Sequence, residues 1–373
     1  MNLAFISASQ VPSQAANSIQ VMKVCQAYAQ LGHQVRLWVP GSQPVGWEIL
    51  SNHYGIQTPF DIEWIPCAPA FRRYDLAWAA VRQARRKRVD AVYTWMLQAA
   101  CLARWLSLPF LLELHDRVTG RVGPFLFRQL LHRRGKARFL PITRALQQTL
   151  ERDFKLSFTP KEVEVSPDGV DLERYADLPD AAQARLTLGL PQGLTVGYTG
   201  HLYAGRGLEL LVALAQSQPE INFIWVGGRP EDVAGWRARL KAAGPFNIHL
   251  TGFVPNARLP LYQAAADILV MPYGHAVATS SGGNTADFCS PMKMFEYMAC
   301  GRAILSSDLP VLHEVLNPGN AVFCPPEDFS AWQTALADLL ANPELRRSLS
   351  ERARSDAARY TWQARAARAI MGF

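Results

Sequence analysis

Short apolar runs alternate along this chain with stretches whose apolar residues return every three or four positions, which is the pattern of strand followed by amphipathic helix. Residues 3–7 form the first apolar run, and residues 18–31 then place Val21, Val24, Cys25, Tyr28 and Leu31 on one helical stripe, with Gly32 as a stop. Strands are predicted at 34–39, 62–66, 89–95, 109–114 and 138–143, with helices between them. Alternation of this length implies a parallel sheet covered on both faces. A second series starts at 195–200 and continues at 221–228, 247–254, 267–273, 302–307 and 320–324, and helical patterns return after Ser330. The polar, Pro-interrupted stretch 177–183 reads as a linker, which puts the boundary near 171–185. The chain is therefore expected to be α/β, with two Rossmann-like doubly wound domains facing a cleft at their strand carboxyl ends. Residues 1–175 make the first domain and 176–357 the second, and the helix in 358–373 is expected to pack back on the first.

Composition supports folded cores. Of 373 residues, 49% are hydrophobic and 18% charged, enough for two domains and incompatible with a disordered chain. The net charge of +7 favours anionic partners such as diphosphates, acidic lipid surfaces or nucleic acid, and it also serves solubility. Cys25, Cys67, Cys101, Cys289, Cys300 and Cys324 are scattered, with no CxxC pair and no clustering with His. This predicts reduced thiols, no metal site and a cytoplasmic setting. The N-terminus lacks a basic segment before its apolar run, so it reads as a strand rather than a signal peptide. The apolar region 91–114 is broken by Gln98, Arg104 and Pro109, leaving no membrane span. Any membrane contact is then peripheral, at the inner face.

The strongest local signal is Ser290-Pro291-Met292-Lys293-Met294-Phe295-Glu296-Tyr297-Met298-Ala299-Cys300-Gly301, a helix with Pro near its first position and Gly at its end. The amides of such a start attract phosphate. Glu296 lies beyond the first turn and calls for a partner, either a ligand or a neighbouring protein group. The segment Gly200-His201-Leu202-Tyr203-Ala204-Gly205-Arg206-Gly207 follows a strand and opens a helix, and its arginine is suited to a diphosphate. Gly252-Phe253-Val254-Pro255 ends another strand in a tight turn that either meets a nucleobase or is an ordinary loop. His115, after Leu112-Glu113-Leu114, ends a first-domain strand, as a ligand contact or a structural hydrogen-bonder.

In this order, these pieces resemble glycosyltransferase family 4, with the GT-B fold, along essentially the whole chain. The 290–301 string, followed by Ser306-Ser307-Asp308, is the most specific piece. Gly32-His33-Gln34-Val35, Pro167-Asp168-Gly169-Val170-Asp171 and Gly252-Phe253-Val254-Pro255 accompany it. The resemblance implies a retaining, metal-independent enzyme with no cofactor, using a nucleotide-diphosphate sugar as donor and a glycan, lipid or small molecule as acceptor. It implies further that Glu296 binds the ribose hydroxyls, that Arg206, Gly200 and His201 neighbour the diphosphate, and that Pro291, Met292, Lys293 and Met294 add donor contacts. Gly252, Phe253 and Val254 join the donor site, and His115 lies beside the transferred sugar. Three departures stand out. Phe288 occupies a place where the family often has an acidic residue, with Asp287 one place earlier. Ala15-Ala16-Asn17-Ser18 replaces a common glycine pair in the acceptor and phosphate loop, where Asn17 or Ser18 is expected to cap the following helix. Arg206 stands where relatives carry Lys.

The segment 274–290, with Gly282-Gly283, is expected to be a lid or a passive loop. Two first-domain basic clusters, Arg82, Arg85, Arg86, Lys87 and Arg88, and Arg128, Arg133, Arg134, Lys136 and Arg138, suit a phosphorylated lipid acceptor or an anionic membrane. They equally suit helix dipoles, and no nucleic-acid-binding motif accompanies them. The rival readings are a nucleotide-sugar epimerase of the same fold, which would need acid–base groups at the sugar, and a catalytically silent nucleotide-sugar-binding partner.

Overall fold

The computed structural model describes residues 1–132, 135–202, 204–277 and 285–373. They form two compact units, Met1–Asp168 with Trp362–Phe373, and Gly169–Thr361.

The first unit holds a parallel sheet of β1 (Asn2–Ile6), β2 (Gln34–Pro40), β3 (Asp61–Ile65), β4 (Ala91–Thr94), β5 (Phe110–Leu114) and β6 (Ala137–Pro141), in the order β3-β2-β1-β4-β5-β6. The central strands β4 and β5 are buried at every position, as apolar runs covered on both faces should be, whereas edge strand β3 is only partly covered. The last helix, Trp362–Ile370, packs on the first, Ala16–Gln30.

The second unit repeats the plan with β7 (Thr195–Thr199), β8 (Asn222–Val226), β9 (Ile248–Gly252), β10 (Ile268–Met271), β11 (Ala303–Ser307) and β12 (Val322–Cys324), in the order β12-β11-β10-β7-β8-β9. Its core gathers Phe223, Trp225 and Trp332, all at 0% exposure. Gly197 in β7 is required by packing, because a Cβ there would lie 2.7 Å from that of Ala266. In each unit the strand order reverses between the first and fourth strands, at β1/β4 and at β7/β10. Parallel sheets of this kind offer ligands a crevice beyond the strand carboxyl ends at that point.

Several local expectations need correction. The stretch read as a linker, 177–183, runs into a helix, Ala181–Leu188, capped by Asp180, whose carboxylate accepts from the Gln183 amide at 2.8 Å. Asn17 and Ser18 lie inside the helix Ala16–Gln30 rather than in a loop, and neither caps it, since Ala15 is the N-cap. Ser18 is fully buried, its Oγ donating to the Gln10 carbonyl at 2.7 Å and sharing a 2.6 Å bond with the Tyr54 hydroxyl. Arg138 is not a surface cation: it is 6% exposed and donates to the carbonyls of Ala369 and Met371, closing the carboxyl end of the last helix. Arg133 and Arg134 of the same cluster lie outside the described residues, as do Tyr203 and the 278–284 part of the expected lid.

Candidate functional site

In the second unit the turn after β7 is threaded against its neighbours so closely that only glycine fits. A Cβ on Gly205 would meet the Ala276 carbonyl oxygen at 1.9 Å, and one on Gly207 would meet that of Pro272 at 1.9 Å. Both residues have positive φ. This packing carries Arg206 to the carboxyl end of β10, where its guanidinium lies 5.2 Å from the ring centre of Tyr273.

Lys293 reaches the same place from the helix Met292–Cys300, whose N-cap is Pro291 and which no side chain caps. Its ammonium sits 4.0 Å from the Tyr198 ring centre and 5.7 Å from that of Tyr273. A Cβ on Gly200 would meet that ammonium at 2.7 Å, so the glycine makes room for the cation. Burial, and after it the positive charge of Arg206, hold Lys293 well below the usual lysine range. His201, beside them, is pushed down to about 4 by burial and then by Arg206 and Lys293, so its ring is neutral at pH 7. Two cations held over tyrosine faces, at the switch point of a parallel sheet, make a place suited to a dense anion.

Glu296, 9% exposed, sits one turn further along that helix. One carboxylate oxygen accepts from the Gln263 side-chain amide at 3.0 Å, and Gln263 in turn accepts from the Tyr175 hydroxyl at 2.9 Å. The carboxylate is therefore oriented by a relay of neutral groups. Gly252 ends β9 at the sheet edge, and its carbonyl accepts from the Gly227 amide at 2.8 Å, while Gly200 donates to the Val226 carbonyl at 2.8 Å. Backbone contacts thus tie the turns after β7, β8 and β9 together. Phe253 and Val254 follow, half-buried. The structure brings Gly200, His201, Arg206, Pro291, Met292, Lys293, Met294 and Glu296 around the β7 and β10 ends, with Gly252, Phe253 and Val254 two strands away. Phe288 is 5% exposed and part of the core, whereas Asp287 is exposed.

In the first unit His115 stands just beyond β5, its side chain 37% exposed. Its Nε2 donates to Glu113 Oε1 at 2.6 Å. Glu113, 1% exposed inside the sheet, also accepts from Gln20 Nε2 at 2.5 Å and from the Tyr93 hydroxyl, and pairs with Arg365 of the last helix at 2.7 Å. Arg365 also donates to the carbonyls of Ser166 and Pro167 and to the Tyr93 hydroxyl. Burial would raise the Glu113 carboxyl, but Arg365, His115 and Tyr93 overcome it and hold the group at about 2. For His115, burial opposes the charged ring, yet the Glu113 bond and charge, with Asp168, raise its pKa above the ordinary value. Sequence reading singled out His115 and passed over Glu113, although a carboxylate inside an otherwise apolar parallel strand is itself a signal, because it requires buried donors.

Asp168, which belongs to the same cluster, is raised to about 6, chiefly by burial. A carboxyl raised in this way favours folding below its unfolded pKa near 4 and loses that contribution as pH rises through 6. We therefore expect Asp168→Asn to raise the melting temperature at pH 8 and to change it little at pH 4, as read by scanning calorimetry. A lowered melting temperature at pH 8 would contradict this assignment.

Among the described residues no helix is long and apolar enough to cross a membrane, and no group of three or more His, Cys, Asp or Glu residues forms a metal-binding cluster.

Comparison with known proteins agrees with this architecture. The family model described as Glycosyltransferase Family 4 matches residues 18–174, and that described as Glycosyl transferases group 1 matches residues 193–342. The phosphatidyl-myo-inositol mannosyltransferase of Mycolicibacterium smegmatis is 24% identical over 92% of this chain and 85% of its own length. The putative teichuronic acid biosynthesis glycosyltransferase TuaH of Bacillus subtilis is 26% identical over 45% of this chain, a match that spans 40% of the relative. The D-inositol 3-phosphate glycosyltransferase of Segniliparus rotundus is 28% identical over 56% of this chain and 45% of its own length, so the chain spans less than half of these last two relatives. Among solved structures, Anabaena HepE in complex with UDP superposes with a TM-score of 0.76 at 16% identity, covering 100% of both chains. WaaG, a glycosyltransferase involved in lipopolysaccharide biosynthesis, gives 0.66 at 15% identity over 98% of each chain. With two six-stranded parallel sheets of one topology, and successive family models matching most of its length, the chain belongs to glycosyltransferase family 4 and has the GT-B fold.

Proposed function

We propose that the chain is a retaining glycosyltransferase that moves a sugar from a nucleoside-diphosphate donor to a carbohydrate, lipid-linked or small-molecule acceptor, without a metal ion or cofactor. The observation that carries this reading is the pairing of Arg206 and Lys293 at the ends of β7 and β10, where a desolvated lysine beside an arginine is relieved by an incoming diphosphate. In this role the two cations stabilise the negative charge that develops as the nucleoside diphosphate departs, the contribution a metal would otherwise make. Glu296, oriented by Gln263, accepts hydrogen bonds from the ribose hydroxyls, and the uncapped start of the helix Met292–Cys300 faces the phosphates. Gly252, Phe253 and Val254 flank the base.

In the transfer step the bond from anomeric carbon to β-phosphate oxygen breaks, the acceptor oxygen bonds to that carbon on the same face, and the acceptor's proton passes to the leaving phosphate. His115 contacts the sugar. Among relatives, the name of the Mycolicibacterium smegmatis protein refers to phosphatidyl-myo-inositol, and a Streptococcus pneumoniae relative is named an alpha-galactosylglucosyldiacylglycerol synthase. HepE has been solved with UDP-glucose. These names support a nucleotide-sugar donor and favour a glycolipid among the acceptor classes, with contact to the membrane surface through first-unit cations.

Proton NMR of the product's anomeric signal, with and without EDTA, tests the finer claims. Retained configuration at an unchanged rate is expected. Inversion, or loss of turnover on chelation, would overturn them. A silent nucleotide-sugar-binding partner remains a second reading, favoured by the burial of Phe288 where the resemblance implies a carboxylate. Nucleotide binding without any release of nucleoside diphosphate would select it.

A further inference from the structure

We propose that one face of the first unit, built by the helices Tyr74–Arg86, Leu97–Trp105 and Gly123–His132, docks on an anionic lipid bilayer. Large apolar side chains crowd this face while remaining open to water: Phe71 is 60% exposed, Tyr74 and Trp78 44%, Trp105 60% and Phe125 61%. The Trp78 and Trp105 rings lie 6.1 Å apart, so the exposure of one continues into the other across two helices. Beside them a cavity of about 300 Å³ opens among the three helices, lined by Tyr74, Leu102, Trp105, Leu126 and Leu130. A contiguous apolar patch on a soluble surface marks an interaction site, and Trp and Tyr favour the boundary between hydrocarbon and water.

Charge selects the occupant. The three helices carry Arg82, Arg85, Arg86 and Arg128 at exposed positions against a single carboxylate, Asp75, which is engaged by the amides of Ala68 and Leu76, while Arg104 turns inward to the Leu130 carbonyl and the Phe110 ring. Among the described residues no carboxylate pairs with Arg82, Arg85 or Arg86. Helix-dipole compensation accounts for basic residues in the last turn, but not for Trp78 and Tyr74 on the same exposed stripe. A second copy of the chain would bring this positive face against itself, at a cost from like charges. An anionic bilayer meets both features, with headgroups for the arginines and the interfacial layer for the aromatic rings.

The test is co-sedimentation of the full chain with vesicles of phosphatidylcholine alone and of phosphatidylcholine mixed with phosphatidylglycerol, at low and physiological ionic strength. The wild type is expected to partition to the anionic vesicles only. The triple variant Arg82→Gln/Arg85→Gln/Arg86→Gln should lose roughly fivefold per arginine. Trp78→Ser/Trp105→Ser should lose at least about tenfold and be less sensitive to salt than the arginine contribution. Because all five side chains are on the surface, melting temperatures should stay near wild type. Absence of partitioning at low ionic strength, equal partitioning of the variants, or a self-association seen in sedimentation velocity and abolished by the tryptophan changes would overturn the proposal. The proposal extends the reading of a lipid-linked acceptor, yet the two fail separately. Vesicle binding without nucleotide binding sinks the transferase, and nucleotide-dependent turnover without vesicle binding sinks the docking face.

Discussion

Lys293→Met is expected to weaken nucleoside-diphosphate binding by about 10- to 100-fold, the loss typical of a charged hydrogen bond, while raising the melting temperature of the nucleotide-free protein. The two effects have opposite sign for one reason. Lys293 is half-buried, and burial and Arg206 both disfavour its charged form. Methionine keeps the length of the side chain and its contact with the Tyr198 ring but removes the cation. Each kcal/mol recovered should add about 2–4 °C to the melting of a unit the size of Gly169–Thr361. Linkage gives a second check. A lysine lowered in the folded state takes up protons more readily when unfolded, so wild-type stability should rise with pH across the window between its folded pKa and 10.5, and Lys293→Met should flatten that slope. A bound diphosphate raises the lysine pKa again, so within that window wild-type binding should be accompanied by proton uptake, visible as a dependence of the calorimetric heat on buffer. A methionine variant that is less stable without nucleotide, yet binds as well as wild type, would show Lys293 to be a packing residue only.

The second large effect concerns stability. Arg365→Met should cost about 3–5 kcal/mol, because it leaves the Glu113 carboxylate inside the sheet without its cation. A fall in melting temperature of about 6–20 °C follows from the same scaling. Adding Glu113→Gln should return part of the loss, since the double variant no longer buries an uncompensated charge, and the non-additivity measures the pair directly. Glu113 also governs the acid limb. Its carboxyl is lowered to about 2, so its contribution is present above the ordinary carboxyl range and disappears as pH falls from about 4.5 through 2. Glu113→Gln should flatten stability over that window. Additive losses, or an unaltered acid limb, would mean that the pair is not coupled as the structure has it.

Much of the architecture was legible in the sequence because parallel strands are apolar throughout and lie at regular spacing, so every predicted strand is found within a few residues of its place. The helix Met292–Cys300 was legible too, since Pro291 and Gly301 bracket it, although Pro291 proves to be the N-cap rather than a helical residue. The role of the last helix was harder to read. Arg365 and Arg138 look like ordinary surface cations in a basic chain, and only the fold reveals that one neutralises Glu113 while the other closes the carboxyl end of the last helix. Ser18 misled for a related reason. A serine at the start of a helix suggests a cap, but Tyr54 and the Gln10 carbonyl claim its hydroxyl, a tertiary choice that local propensity does not encode. Arg206 was found from its glycines, whereas its meeting with Lys293 over Tyr273 depends on the β7–β10 pairing, which no linear motif specifies.

A nucleotide-sugar site at the ends of β7 and β10 can be probed by a thermal-shift panel of UDP, GDP, ADP, dTDP and their sugar conjugates on wild type, Glu296→Ala and Lys293→Met. A ligand at a hundred times its Kd should add about 2.7 kcal/mol. A shift selective for one base is expected, abolished by Glu296→Ala and reduced by Lys293→Met. A shift of equal size in all three proteins, or none with any nucleotide, would contradict such a site.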